Sequence, residues 1–215
     1  MFNYEEMKNK IILADCMDIM KDIPDKWFEL AIVDPPYGIN RSANFGKAEY
    51  GWKQYKRSKW DSSVPNKIYF DELFRISQNQ IIWGGNYMVN YISPSMGWVC
   101  WDKGQRNFST SDGELAWTSF NQKLRIYGMS RAAAFINNDK NPIHPTQKPI
   151  ALYRWLLQNY AKPGDKIIDT HSGSGSLACA CHLEKYDFIA IEKDPEYHAL
   201  SVKRLEELRS QGVLF

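Results

Sequence analysis

Residues 32 to 40, IVDPPYGIN, break an apolar run with an acid, two prolines and an aromatic ring. Proline fixes φ and carries no N–H, so Asp34, Pro35, Pro36 and Tyr37 form a stiff extended turn at the end of a strand. The Asp34 carboxylate and the Pro35 carbonyl then point outward as acceptors. Two fixed acceptors suit a planar amino group conjugated to a heteroaromatic ring: gripping both hydrogens draws the nitrogen toward tetrahedral geometry and frees its lone pair. Tyr37 adds a flat face for stacking, a contact worth about 1–3 kcal/mol for a nucleobase. The turn therefore reads as a device for activating the exocyclic amine of a base that has left its stack.

A second constellation lies in IIDTHSGSGSLA, residues 167 to 178, where Gly173, Gly175 and Ala178 have the G-x-G-x-x-G/A spacing between a buried strand and a helix. Such a turn lets backbone approach a ligand closely. Glu192, at the end of the next strand, is placed to accept hydrogen bonds from a ribose. A nicotinamide or flavin enzyme would share this arrangement, so on these residues alone the ligand class stays open among adenosine-type cofactors.

The elements that must position these residues alternate. Strand-like runs stand at 10–16, 28–34, 80–86, 97–104, 114–120, 162–169 and 187–194, and helical patterns at 17–23, 66–78, 146–161, 174–186 and 195–211. The 146–161 helix carries Leu152, Trp155, Leu156 and Tyr160 on one face. This alternation predicts an α/β fold with a doubly wound, mostly parallel sheet. Two stretches lack a period: 39–66, read as a long loop, and the basic segment 121–143, read as irregular. With 215 residues, 44% hydrophobic and 24% charged, the chain suits a single domain. No secretory signal or apolar span is visible, so the cytoplasm is the expected compartment and no membrane partner is expected. Cys16, Cys100, Cys179 and Cys181 lack ligand spacing and read as reduced thiols, without a metal.

DPPY at 34–37, HPTQKP at 144–149 and the turn at 169–176 that contains SGSG together resemble the amino-methylating DNA methyltransferases, in the motif order of the permuted β group. The resemblance runs from about residue 10 to residue 209. It implies a Rossmann-like methyltransferase fold and S-adenosyl-L-methionine as cofactor. It makes Asp34, Pro35, Pro36 and Tyr37 the catalytic turn. It also makes Asp169, His171, Ser172, Gly173 and Gly175 the cofactor loop and Glu192 the ribose acid, and places Asp15, with Cys16 beside it, at the adenine amino group. Thr146, Gln147 and Lys148 match the element opening the helix beneath the cofactor, where the lysine would suit the methionine carboxylate. The chain departs from the family's D-P-F with Asp169-Thr170-His171, keeping a ring but losing the proline. Asp15 also fits a plain helix cap, Lys148 a solvated surface lysine, and His144 a turn residue.

A base taken out of the duplex needs its DNA held open. Arg41, Lys47, Lys53, Lys56, Arg57 and Lys59, with Tyr50, Trp52, Tyr55 and Trp60 interleaved, suit phosphates and unstacked bases. Lys123, Arg125, Arg131 and Lys140 lie in the segment expected to read sequence. A solvated basic loop is the plainer reading of both. The expectation is a DNA methyltransferase acting on double-stranded DNA, at adenine N6 because DPPY goes with adenine more often than with cytosine in the family. Cytosine N4, a dinucleotide-dependent oxidoreductase and a catalytically silent DNA-binding subunit are the alternatives. A homodimer and a cognate restriction endonuclease stay open as partners. The reading requires Asp34 and the Gly173 turn to open on one cavity.

Overall fold

The apolar, β-branched runs do form strands, and they join in one eight-stranded sheet. The computed structural model describes residues 2–40, 61–107, 111–130, 133, 143–144 and 146–211. In chain order these build α1 (Tyr4–Met7), β1 (Lys10–Leu13), α2 (Cys16–Met20), β2 (Phe28–Val33), α3 (Lys67–Ile76) and β3 (Ser77–Trp83). A short 3-10 turn at Gly85–Tyr87 follows, then β4 (Trp98–Asp102), β5 (Gly113–Thr118), β6 (Arg125–Gly128), α4 (Ile150–Tyr160), β7 (Ile167–Asp169), α5 (Ser176–Glu184), β8 (Phe188–Glu192) and α6 (Pro195–Ser210).

The strand order is β1-β8-β7-β2-β3-β5-β4-β6. β1, β8, β7, β2 and β3 are mutually parallel. β5 runs against both β3 and β4, and β6 is parallel to β4. The sheet is thus mostly parallel, as expected of a doubly wound α/β fold. Its central strands are buried on both faces, which is why they read as continuous apolar runs. Leu30 and Ile32 of β2 pack toward Leu152, Leu156 and Leu177, while Ala31 and Val33 pack toward Met20, Tyr69 and Leu73. All four β2 residues are at most 1% exposed.

Two expectations change. The 121–143 segment is not wholly irregular, because residues 125–128 form β6 at the sheet edge. Its alternation is invisible in sequence since neither face is buried: Ile126 is 66% exposed, and the β4 ladder rather than a core holds the strand. On α4 the buried face is Leu152, Tyr153, Leu156, Leu157 and Tyr160, with Trp155 at its margin against Tyr127. The four cysteines are free thiols. Among the described residues no helix is long and apolar enough to cross a membrane.

Candidate active site

Because β1, β2, β7 and β8 are parallel, the residues that follow them emerge at one edge of the sheet. Asp15, the Asp34–Tyr37 turn, the 170–174 turn and Glu192 all line a single cavity of about 820 Å3. Asp34 and Gly173 therefore open on shared space, although HPTQKP and five strands, β3 to β7, separate them in sequence.

At one end the cavity is built from backbone and fixed acceptors. Gly173 has φ +51°, and a Cβ added there would meet nothing closer than His144 at 3.9 Å. A ligand can thus reach the Gly173 backbone directly. The Ser172 hydroxyl is buried and has no hydrogen-bond partner among the described residues, the state expected of a group that awaits one. Glu192 accepts from Gly173 N–H at 2.7 Å and from Asp194 N–H at 2.8 Å. A carboxylate has about four acceptor sites, so its capacity is not exhausted. Burial raises its carboxyl above the ordinary value.

Asp15 accepts from Met17 N–H at 2.9 Å and caps α2 while also lining the cavity, so its two sequence readings coexist. Cys16 lines it too, its thiol pushed up to about 12 by burial and by Asp15. Thr146 and Gln147 complete this wall. Thr146 Oγ1 lies 3.0 Å from His144 Nδ1, and Gln147 Oε1 accepts from Ile143 N–H at 3.0 Å. The departure at Thr170-His171 has a structural use. Tyr69 Oη meets Thr170 Oγ1 at 2.7 Å, which meets His171 Nδ1 at 2.9 Å, so the ring is held in place beside the cavity. Burial brings His171 down to about 4 and keeps it neutral near pH 7.

Two expected loop residues stand back from the cavity. Asp169 is 5% exposed and accepts from His171 N–H at 3.0 Å, and burial pushes its carboxyl up to about 8. It shapes the turn from behind. Gly175, with φ +70°, starts α5; a Cβ there would lie 3.0 Å from Ser201 Cβ and 3.2 Å from Ile11 Cδ1. Its glycine serves close packing on α6 and β1.

At the other end is a cluster of charges. Lys148 is neither a solvated lysine nor free for a cofactor carboxylate. It is 3% exposed, and Nζ donates to Asp34 Oδ2 at 2.5 Å and lies 3.2 Å from Tyr37 Oη and from Glu114 Oε2. Its neighbour in chemistry is Asp34 because the residues before α4 cross over the end of β2. Lys103, 1% exposed, bonds Glu114 Oε1 at 2.6 Å. Burial raises the Asp34 carboxyl, an effect that Lys148 opposes and Glu114 reinforces. Burial alone would raise Glu114 as well, but Lys148 and Lys103 hold it at about 2.

Tyr37 donates to Asp34 Oδ1 at 2.7 Å, and its ring is stacked on Tyr87 at 5.2 Å between centroids. Tyr87 is 46% exposed, so the aromatic face open to solvent is shared with a residue not singled out in the sequence. Asp61 is a second omission: 2% exposed, it accepts from Tyr37 N–H at 2.7 Å and Gly38 N–H at 3.0 Å and so locks the Asp34–Tyr37 turn. A buried acid in WDSS, at the close of a basic stretch, carried no local signal. Lys123 and Arg125 are exposed on and before β6, away from the cavity. Arg41, Lys47, Lys53, Lys56, Arg57, Lys59, Arg131 and Lys140, with the interleaved aromatics from Tyr50 to Trp60, lie outside the described residues.

A sheet whose carboxyl edge joins a glycine turn, a strand-end acid and a DPPY turn in one cavity has the arrangement that the sequence resemblance implies. Comparison with known proteins narrows this. The N6_N4_Mtase family model, described as DNA methylase, matches residues 130–203. The type II methyltransferase M.HinfI of Haemophilus influenzae is 22% identical over 256 residues, covering 96% of this chain and 71% of that protein. Two solved structures share the fold. The M1.HpyAVI–SAM complex has a TM-score of 0.57 and 22% identity, covering 91% of this chain and 98% of its own. The cytosine-N4-specific PvuII DNA methyltransferase has a TM-score of 0.58 and 12% identity, covering 94% and 91%. The chain is thus similar in sequence to DNA methyltransferases and shares the fold of these solved structures.

Proposed function

We propose that this chain transfers a methyl group from S-adenosyl-L-methionine to the exocyclic amine of a flipped base in double-stranded DNA, at adenine N6. The observation that carries the reading is the single cavity joining Asp34 to the Gly173 turn. The residues at its cofactor end suit the group. Glu192 would offer acceptors to a ribose and Asp15 an acceptor to the adenine amine, Cys16 and His171 would supply wall beside them, and the Ser172 hydroxyl and Gly173 backbone would receive the amino-acid end. When bound, the cofactor supplies an electrophilic methyl carbon. The chain supplies orientation and electrostatics. Asp34 accepts a hydrogen of the amine and Pro35 and Pro36 hold it rigid, while Tyr37 and Tyr87 offer aromatic surface. No strong base is required, since the nitrogen becomes acidic as it is alkylated.

Adenine is favoured by family usage, in which an Asp-Pro-Pro-Tyr turn goes with adenine more often than with cytosine; the PvuII relative keeps cytosine N4 as the second reading. A dinucleotide oxidoreductase would leave Asp34 to Tyr37 and the HPTQKP element without a role. The basic residues 41–59 and Lys123 and Arg125 are proposed, from sequence, to meet DNA phosphates. The test is incubation with labelled cofactor and genomic DNA, digestion to nucleosides and identification of the product. N6-methyladenine is expected, N4-methylcytosine would overturn the base assignment, and unlabelled DNA would overturn the reading. Asp34→Ala should abolish transfer and leave cofactor binding in calorimetry unchanged, whereas undiminished transfer would remove Asp34 from its role.

A further inference from the structure

Four charged side chains form a continuous line at the amine end: Lys103, Glu114, Lys148 and Asp34, in successive contact at 2.6, 3.2 and 2.5 Å. They come from the end of β4, the start of β5, the segment before α4 and the end of β2. With all four ionised the line is neutral, the condition for burying charges without a large penalty. The two carboxylates are not equivalent. Glu114 lies between two ammonium groups, while Asp34 has one, and shares it. The ammonium of Lys148 also sits 5.0 Å above the Trp83 ring, which confines it between the two acids.

We infer that Glu114 is a positioning residue of the transfer reaction, acting through Lys148 to keep Asp34 a strong hydrogen-bond acceptor for the incoming amine. The inference rests on the amine-methylating reading. By drawing part of the Lys148 ammonium to itself, Glu114 prevents that charge from saturating the Asp34 oxygen. It also gives Lys148 an alternative partner when the amine takes its place beside Asp34. Lys103 supports Glu114 so that the acid can do this while ionised. The groups facing Asp34 are Tyr37 from its own turn, Lys148 and Tyr153 from α4 and its lead-in, Glu114 from β5 and Asp169 from β7. Of these acids Glu114 is the one held ionised near neutral pH, since Asp169 is pushed up to about 8, and Glu114 is also the one paired with the lysine.

The experiment is Glu114→Gln in the full chain, with methyl transfer to DNA followed across pH and Asp34 titrated by carboxyl-carbon NMR, its resonance assigned with Asp34→Asn. Removing the acid leaves Lys148 wholly to Asp34 and removes a like charge, so both the Asp34 titration and the acid limb of kcat should move to lower pH. A less basic acceptor should lower plateau kcat about tenfold or more, with KM for DNA and cofactor affinity unchanged. Glu114→Asp, which keeps the charge, should restore part of each. If Glu114→Gln does not fold, the charge-balanced Lys103→Met/Glu114→Gln protein carries the same measurements. An unmoved Asp34 titration, or an unmoved kcat and acid limb, overturns the inference. If wild type transfers no methyl group to DNA, the proposed function fails, while the titration still decides whether Glu114 controls Asp34.

Discussion

Lys148→Met isolates the largest electrostatic contribution of the site. Methionine keeps most of the side-chain length and the contact with Trp83, so the loss is that of the ammonium. That ammonium lies 2.5 Å from Asp34 and 3.2 Å from Glu114, on a side chain 2% exposed. Removing one partner from a buried pair costs about 3–5 kcal/mol, because the remaining carboxylates stay desolvated. For a domain of this size about 1 kcal/mol moves Tm by ~2–4 °C, so the expected fall is roughly 6–20 °C. The control is Lys67→Met. Lys67 and Asp71 are closer than Lys148 and Glu114, at 2.7 Å, but their side chains are 73% and 56% exposed. An exposed i,i+4 pair is worth only about 0.3–0.5 kcal/mol, a shift of roughly 2 °C at most. The deficit should also depend on pH. Without the ammonium, burial and Glu114 hold Asp34 above its unfolded value, near 3.9. The folded chain then binds more protons than the unfolded one. That stability is present at low pH and lost as pH rises, so the gap between variant and wild type should be wider at pH 9 than at pH 6. Scanning calorimetry at the two values measures it. A Lys148→Met shift no larger than that of Lys67→Met would refute the buried-network reasoning.

The two glycines of the turn should respond differently. Gly175→Ala places a Cβ 3.0 Å from Ser201 and 3.2 Å from Ile11 at φ +70°, and should destabilise the fold by about 1–3 kcal/mol in thermal melts. Gly173→Ala meets nothing within 3.9 Å, so beyond about 1 kcal/mol of backbone strain its effect should appear as weaker S-adenosyl-L-methionine binding in calorimetry. Asp169→Asn keeps the acceptor for His171 N–H but cannot ionise. Wild-type Asp169, raised to about 8, contributes stability that is complete below its unfolded value and lost as pH rises to 8. The variant should therefore gain on wild type by up to ~1.4 kcal/mol per pH unit between about pH 4 and 8, read from denaturant titrations.

Much of the site was legible because its parts are local. The stiffness of Asp34-Pro35-Pro36-Tyr37 follows from proline dihedrals. The open approach at Gly173 follows from a missing Cβ, and the Asp15 cap from a side chain two residues from its donor. The resemblance then supplied roles for residues whose chemistry alone left the ligand open. It misjudged the surroundings of Lys148, since a motif records which residue stands at a position and not which buried charge will face it.

What the sequence by itself determined is a set of short segments: apolar runs that must be strands, a rigid acidic turn, a glycine turn and an acid at the end of the following strand. These depend on dihedral limits and side-chain types within a few residues. Tertiary structure alone decided that Glu114 enters the site, because β5 runs antiparallel and so begins, rather than ends, at the edge where β2 ends. The same holds for Lys103, Lys148 and Asp61. A desolvated charge takes whichever partners strand direction and register bring within hydrogen-bond reach, and those are properties of the assembled sheet.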